Sequence, residues 1–204
     1  MFDVIIIGGG PAGMSCALVL GSAIAKPFAK DRKIAIIAHQ KSSNLQEAIF
    51  NNAYGITPGT TGAQLLEESK KHLAACYPQV TQILNEKVLQ IEGDTAPFIV
   101  TTNKSRYEAA VVVVATNASS PLPFQGLEAF VEPHQKMNPD KNRIQLKNID
   151  HLVKQGVYVA GTLAGMRSQV LIAAGSGATV ATDILSNWSG VHTQIHDRIS
   201  RSTS

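Results

Sequence analysis

Phe2-Asp-Val-Ile-Ile-Ile-Gly-Gly-Gly-Pro-Ala-Gly-Met-Ser-Cys-Ala17 is the stretch that decides how this chain folds. Val4, Ile5, Ile6 and Ile7 form a short apolar, β-branched run, the composition of a strand buried on both faces of a parallel sheet. Gly8, Gly10 and Gly13 follow at Gly-x-Gly-x-x-Gly spacing, and residues 14–20 read as a helix. In that geometry Gly8 makes the tight turn, Gly10 lets the backbone approach a pyrophosphate, and Gly13 lets the helix pack closely on the strand. The helix N-terminus then offers free N–H groups and its positive dipole end to the phosphates. Glycine-rich turns also occur without ligands. The position of this one between a strand and a helix makes a dinucleotide site the stronger reading.

A chain of 204 residues with 44% hydrophobic content can bury a sizeable core and suits one domain. The net charge of +3 is spread without a basic block, so no nucleic-acid partner is implied. Residues 4–25 carry no charge and are long enough to cross a bilayer. The glycine cluster and Pro11 break that run into strand, turn and helix, and no basic residue precedes it as a signal peptide would require, so no membrane partner is expected. Cys16 and Cys76 form neither a Cys-x-x-Cys nor a metal spacing, so no metal site is expected. Cys16, among Ala17 and Leu20, reads as a packing residue, and reduced thiols fit the cytoplasm.

Outward from the first unit, the helix should end near Gly21 or Ser22. Residues 24–33 form a charged connection with Pro27, 33–38 a second apolar strand, and 39–44 a polar loop. Residues 51–61 are loop-like in composition, and 61–76 follow with Leu65, Leu66, Ser69 and Leu73 at helical spacing. Glu67 is placed to reach Lys71 as an i,i+4 pair. Residues 80–91 are extended at least over 88–91, and 97–102 and 107–110 read as meander strands around a turn at 103–105. Residues 111–115 form another buried strand, and 119–126 a Pro-rich break. Residues 132–149 are polar and irregular, a surface connection or a mobile crossover. A last strand at 156–161, a helix of small residues over 168–186 and a frayed tail at 200–204 complete the chain. The order implies an α/β, Rossmann-like domain over residues 1–204, with a parallel sheet and a β-meander crossover. His134, His151, His192 and His196 show no ligand spacing and read as solvated surface, while Trp188 should pack the last helix onto the domain.

With these motifs in order, the chain resembles the FAD-binding domain of the thioredoxin reductase-like, pyridine nucleotide-disulfide oxidoreductase family from residue 3 to about residue 186. The resemblance rests on Ile7 to Gly13, on Thr61-Gly-Ala-Gln-Leu-Leu66, and on Val111-Val-Val-Val-Ala-Thr116. It rests also on Gly156-Val-Tyr-Val-Ala-Gly161 and on Gln169 to Ala181. It implies FAD as cofactor, with Gly8, Gly10, Pro11, Ala12 and Gly13 at the pyrophosphate and Val88 meeting adenine through its main chain. Asn52 matches an Asn that faces the flavin, and Gln169 with Val170 would contact the isoalloxazine edge. Ala115, Thr116, Gly161 and Thr162 fall in the two matching turns. The helix opening at Ser168-Gln169 would aim N–H dipoles at negative charge on the flavin.

Four departures matter. The acid expected on a ribose is Ala38, followed by His39, Gln40 and Lys41, so His39 or Gln40 is the candidate for that end of the site. On this reading Ala38→Glu should tighten FAD. The Asp expected after the last strand is Thr162, and Asn117 replaces a turn glycine, a position where Asn tolerates positive φ. Relatives insert an NADPH domain and a redox Cys-x-x-Cys between the regions matching Ala115 and Val157. Residues 116–156 must bridge two parallel strands, which leaves too little for a second nucleotide domain, since one βαβ unit alone takes about thirty residues. The expected function is an FAD-dependent oxidoreductase served by an external donor, NAD(P)H or a redox protein, with room for a homodimer. Two alternatives stay open: an NADP-binding domain, with Ala38-His-Gln-Lys-Ser42 as the 2′-phosphate loop, and a non-catalytic flavin-binding scaffold or sensor.

Overall fold

In the computed structural model, which describes residues 1–39 and 44–197, the opening stretch becomes β1 (Phe2–Ile7), a glycine turn and α1 (Pro11–Ser22). The chain continues through β2 (Ile34–Ala38), the two-residue strands β3 (Ile49–Phe50) and β4 (Thr60–Thr61), and α2 (Gly62–Cys76). Then come β5 (Thr81–Leu84), β6 (Val88–Glu92), β7 (Phe98–Thr102) and β8 (Arg106–Val114). A hairpin of β9 (Val131–Pro133) and β10 (Ile144–Leu146), the strands β11 (Leu152–Lys154) and β12 (Val157–Val159), and α3 (Val170–Ser189) complete it. Among the described residues no helix is long and apolar enough to cross a membrane. Gln40, Lys41, Ser42 and the tail at 200–204 lie outside the described residues.

The main sheet runs β11-β12-β8-β1-β2-β5, with β7 and then β6 added alongside the first half of β8. β1 is central and parallel to both neighbours, Val4 lying opposite Ile34 on one side and Val111 on the other. A strand so placed is buried on both faces, which explains its unbroken apolar run. Val4, Ile6, Ile34 and Ile36 pack against Cys16, Ala17 and Leu20 of α1 and Val180, Ile184 and Leu185 of α3. On the other face Ile5, Ile7, Ile37 and Val112 meet Phe98 and Val100 of the meander and Ile144 and Leu146 of the hairpin. Helices thus cover one face, and the meander with the hairpin covers the other.

α1 and α3 touch backbone to backbone. A Cβ on Gly177 would stand 1.8 Å from the carbonyl oxygen of Ala12, so only glycine lets the helices approach this closely. Ser176, buried beside it, accepts a 2.8 Å bond from the N–H of Gly161 and ties α3 to the turn after β12. α2 opens with a capping box in which Thr61 and Gln64 satisfy each other's backbone N–H groups. Glu67 binds Lys70, one residue nearer than expected, and stands 3.9 Å from Lys71. Trp188 packs against the helical side of the core, with Arg32 stacked 4.9 Å from its ring centre. Cys16 is buried, and burial pushes its thiol well above the usual range, so it stays protonated and inert.

Three local expectations change. The strands expected at 107–110 and 111–115 are one, because nothing between them stops extension: β8 pairs with antiparallel β7 over its first half and with parallel β12 over its second. The segment expected to be irregular at 132–149 contains most of the β9–β10 hairpin, with Ile144, Gln145 and Leu146 buried. His134 and His151, expected at the surface, are buried, whereas His192 and His196 are exposed. The His151 Nδ1 lies 3.0 Å from the carbonyl oxygen of Val159, which can only accept, so Nδ1 carries the proton.

Candidate functional site

The C-terminal ends of β1, β2, β8 and β12 and the N-termini of α1 and α3 border one cleft of about 1150 Å³. Parallel strands with right-handed crossovers leave such a crevice where the chain leaves the sheet in opposite directions.

Its floor is the glycine turn. Gly8, at φ +117, donates its N–H to the Ile37 carbonyl at 2.9 Å, and a Cβ there would stand 2.4 Å from the Ala115 carbonyl oxygen. A Cβ on Gly13 would stand 1.9 Å from the Gly8 carbonyl oxygen, so Gly13 serves helix–strand packing and does not itself line the cleft. Gly10 differs from both. Its backbone, at φ −79 and ψ −176, suits any residue, and a Cβ there would meet nothing within 4 Å. The protein alone therefore does not require glycine at position 10, and the empty space beside it belongs to the cleft. Pro11 opens α1 and no side chain caps it. The N–H groups of Ala12 and Gly13, in the first turn, have no intrahelical acceptor.

The turn after β8 forms the next wall. Ala115 bonds to Ile7 at 2.8 Å, and the Thr116 hydroxyl is buried at the edge of the cleft without a partner among the described residues. Asn117 does not adopt the positive φ expected of it; its side chain instead accepts the Ser119 N–H at 3.3 Å, which shapes the turn without a left-handed residue. Gly161 and Thr162 face this wall from the end of β12. The Thr162 carbonyl accepts from Gly165 and from His134, each at 3.0 Å. The Lys136 N–H donates to Nδ1 of His134 at 3.1 Å, and Nε2 is the ring nitrogen that donates to Thr162.

At one end of the cleft Gln169 is the N-cap of α3, exposed and without a side-chain cap bond, so the helix starts at Val170, slightly later than expected. Val170 packs with Phe50 and Ala53, and Asn52 lies on the same rim. At the other end are His39, exposed, and Val88, buried. Glu86 beside them is engaged by the hydroxyls of Thr102 at 2.6 Å and Tyr107 at 3.1 Å. Ala38 is only 4% exposed and lies outside the cleft lining, so a Glu there would enter the core; His39 is the residue that faces the site.

Of the residues proposed from sequence, Gly8, Gly10, Pro11, Ala12, His39, Asn52, Val88, Ala115, Thr116, Gly161, Thr162, Gln169 and Val170 all line this cleft. Gly13 supports it from behind, and Gln40 lies outside the described residues. Sequence reading missed the hairpin tip, where Lys136, Met137, Asn138, Lys141 and Arg143 form a further wall. The only available signal was the Ile-Gln-Leu alternation of residues 144–146, too short to register as a strand without its partner.

The sequence profile described as "Pyridine nucleotide-disulphide oxidoreductase" matches residues 2–180. A ferredoxin–NADP reductase of Pediococcus pentosaceus is 26% identical over 161 residues, covering 79% of this chain and 47% of that protein. A thioredoxin reductase of Coxiella burnetii is 28% identical over 119 residues, covering 58% of this chain and 34% of that protein. The chain thus spans about half or less of the curated relatives it matches. A thioredoxin reductase from Gloeobacter violaceus superposes with a TM-score of 0.73 at 15% identity, the alignment covering 97% of this chain and 99% of that one, a likeness of fold.

Proposed function

The chain belongs to the pyridine nucleotide-disulphide oxidoreductase family, and on that premise we propose that its cleft holds FAD and that it works as a flavoprotein oxidoreductase whose electron donor comes from elsewhere. The observation that carries this reading is Gly10, whose backbone is ordinary and whose missing side chain leaves open space at the head of α1. A fold that does not need glycine at this point has room for a ligand that does. The buried, unpartnered Thr116 hydroxyl on the next wall is a second sign of a polar guest.

FAD would supply hydride and electron transfer, and the protein would supply binding and orientation. The turn at Gly8 to Ala12 and the first N–H groups of α1 take the pyrophosphate. Val88 and His39 take the adenosine end, and Val170 with Asn52 borders the ring end. The N-terminus of α3, uncapped by any side chain, favours negative charge placed beside Gln169. Between β8 and β12 the chain forms 3₁₀ turns, the β9–β10 hairpin and β11. This supports delivery of electrons by soluble NAD(P)H or by a redox protein rather than by a nucleotide unit folded into that connection. Cys16 and Cys76 are free thiols, and a reducing, cytoplasmic setting belongs to the same proposal.

The test is the visible spectrum of the purified protein after incubation with FAD, with equilibrium dialysis against FAD and NADP. Yellow protein with flavin bands and tighter FAD than NADP binding is expected. Tighter NADP binding would select an NADP-binding domain. Bound flavin that neither NAD(P)H nor a reduced redox protein bleaches, while dithionite does, would select the non-catalytic scaffold. Slow, poorly saturable NAD(P)H oxidation is expected, and fast turnover at low-micromolar KM would instead point to a nicotinamide site within the 132–149 segment.

A further inference from the structure

We propose that the β9–β10 hairpin carries a cationic clamp for the ligand's pyrophosphate, with Arg143 as its principal group and Lys141 and Lys136 beside it. The inference rests on the dinucleotide reading above. Among the described residues the cleft is lined by five fixed cations, Lys87, Lys136, Lys141, Arg143 and Arg167, and by one carboxylate, Glu86, which two hydroxyls already occupy. Among the described residues none of these cations forms a salt bridge. Three of the five sit on the hairpin tip, in the segment 134–143.

The tip is held against the turn after β8, which itself packs on the glycine turn. Ser119 and Arg143 pair as an isolated antiparallel bridge, the Ile144 N–H bonds to the Ala118 carbonyl at 3.1 Å, and Arg143 donates through Nη1 to the Ser119 hydroxyl at 3.3 Å. Three residues upstream of Ser119, the N–H nitrogen of Thr116 comes within 3.2 Å of where a Gly8 Cβ would stand. On its other side the hairpin is fixed by His134 on the Thr162 carbonyl and by the buried Ile144 and Leu146. The half-buried guanidinium thus lines the cleft from an anchored hairpin, and among the described residues it spends one of its five donors, on Ser119.

The need for such a group is electrostatic. A pyrophosphate brings about two negative charges, and a helix N-terminus offers only about half a positive charge. In a partly desolvated cleft the remainder is costly unless a cation faces it. Arg143 supplies a planar fork suited to phosphate oxygens, and the exposed lysines add point charges at the mouth.

The experiment titrates FAD into the apoprotein at low and high NaCl for wild type, Arg143→Gln, Arg143→Lys and the Lys136→Gln/Lys141→Gln pair, with the thermal midpoint of each apoprotein recorded. Arg143→Gln should weaken FAD about 10- to 100-fold at low salt. Its affinity should also fall less with salt than that of wild type, since the screened charge is gone. Arg143→Lys should recover much of the loss. The lysine pair, exposed and outside the core, should fold normally and weaken FAD a few-fold with the same loss of salt dependence, which keeps the test decisive should Arg143→Gln disturb the hairpin. Wild-type affinity and salt dependence in both the Arg143→Gln and lysine variants would overturn the clamp, as would a loss equal at both salt levels, which would mark Arg143 as structural. Wild-type protein that binds no FAD at all would instead overturn the FAD reading itself.

Discussion

Gly10→Val separates what the fold needs from what a ligand needs. The backbone at Gly10, φ −79 and ψ −176, accepts valine without strain, and among the described residues no atom beyond its chain neighbours lies within 4 Å of the new Cβ. Losing a glycine restricts the unfolded chain and stabilises by about 0.4–1 kcal/mol. Gly10 is also the N-cap of α1, where an apolar residue is worse than glycine by about 0.5–1 kcal/mol. These terms offset, so apoprotein stability should stay within about 0.5 kcal/mol of wild type, a midpoint shift of about 2 °C or less. Ligand binding has no such compensation. An isopropyl group in the pyrophosphate's space costs about 3 kcal/mol or more in steric overlap, at least about 100-fold in Kd. The assay pairs thermal unfolding of the apoprotein with FAD titration by flavin fluorescence. Gly13→Val is the contrast, because its Cβ would stand 1.9 Å from the Gly8 carbonyl oxygen and it should fail in stability first. Unimpaired FAD binding by Gly10→Val would refute the placement of the pyrophosphate, and a large drop in apoprotein stability would refute the claim that the fold is indifferent to this position.

Three further outcomes follow from the packing and the charges. Gly177→Ala drives a Cβ to 1.8 Å from the Ala12 carbonyl oxygen, and should cost about 3 kcal/mol in a urea melt, whereas Gly175→Ala on the same helix, with open space around it, should be neutral or stabilising; equal effects would show that α1 and α3 do not touch as described. Ala38→Glu should destabilise by about 3 kcal/mol or more, since it buries a carboxylate, while His39→Glu, exposed on the cleft, should leave stability unchanged and tighten FAD about tenfold; the reverse order in paired melts and titrations would refute the side-chain orientations at the end of β2. Burial raises the Asp183 carboxyl above its ordinary range, with His151 opposing and Asp150 adding to the rise. The folded state therefore holds that proton more tightly than the unfolded chain, and its contribution to stability falls as pH rises from the ordinary carboxylate pKa through the raised one. Asp183→Asn should remove this fall, so its advantage over wild type in urea melts should grow between about pH 3 and pH 7, and a pH-independent difference would refute the shift.

Much of the architecture was legible in the sequence, wherever the determinant was local. The run Val4 to Ile7, the glycines and Pro11 specify strand, turn and helix through burial pattern and backbone freedom within a dozen residues, and the Thr61–Gln64 box marks the start of α2 in the same way. The order of these units placed the cleft and most of its lining, because ligand crevices in open parallel sheets lie at strand ends. Other features depend on groups distant in the chain. β10 is three residues long and is a strand only because β9 pairs with it, and its apolar side chains are core only because Leu163 and the far face of the sheet receive them. His134 and His151 looked like surface residues because burial is decided by what covers a side chain, here the Thr162 and Val159 carbonyls that each ring meets. Asn117 kept an ordinary φ because a side-chain bond to Ser119 could shape the turn instead. His39 faces the cleft as expected, whereas position 38, where an acid was expected to help, points into the core, because the direction of a side chain at a strand's end is set by the sheet and not by the residue type. Arg143 had no local signature at all: its charge becomes informative only where Ser119 and the hairpin hold it on the cleft wall, since electrostatic meaning lies in distance through space rather than along the chain.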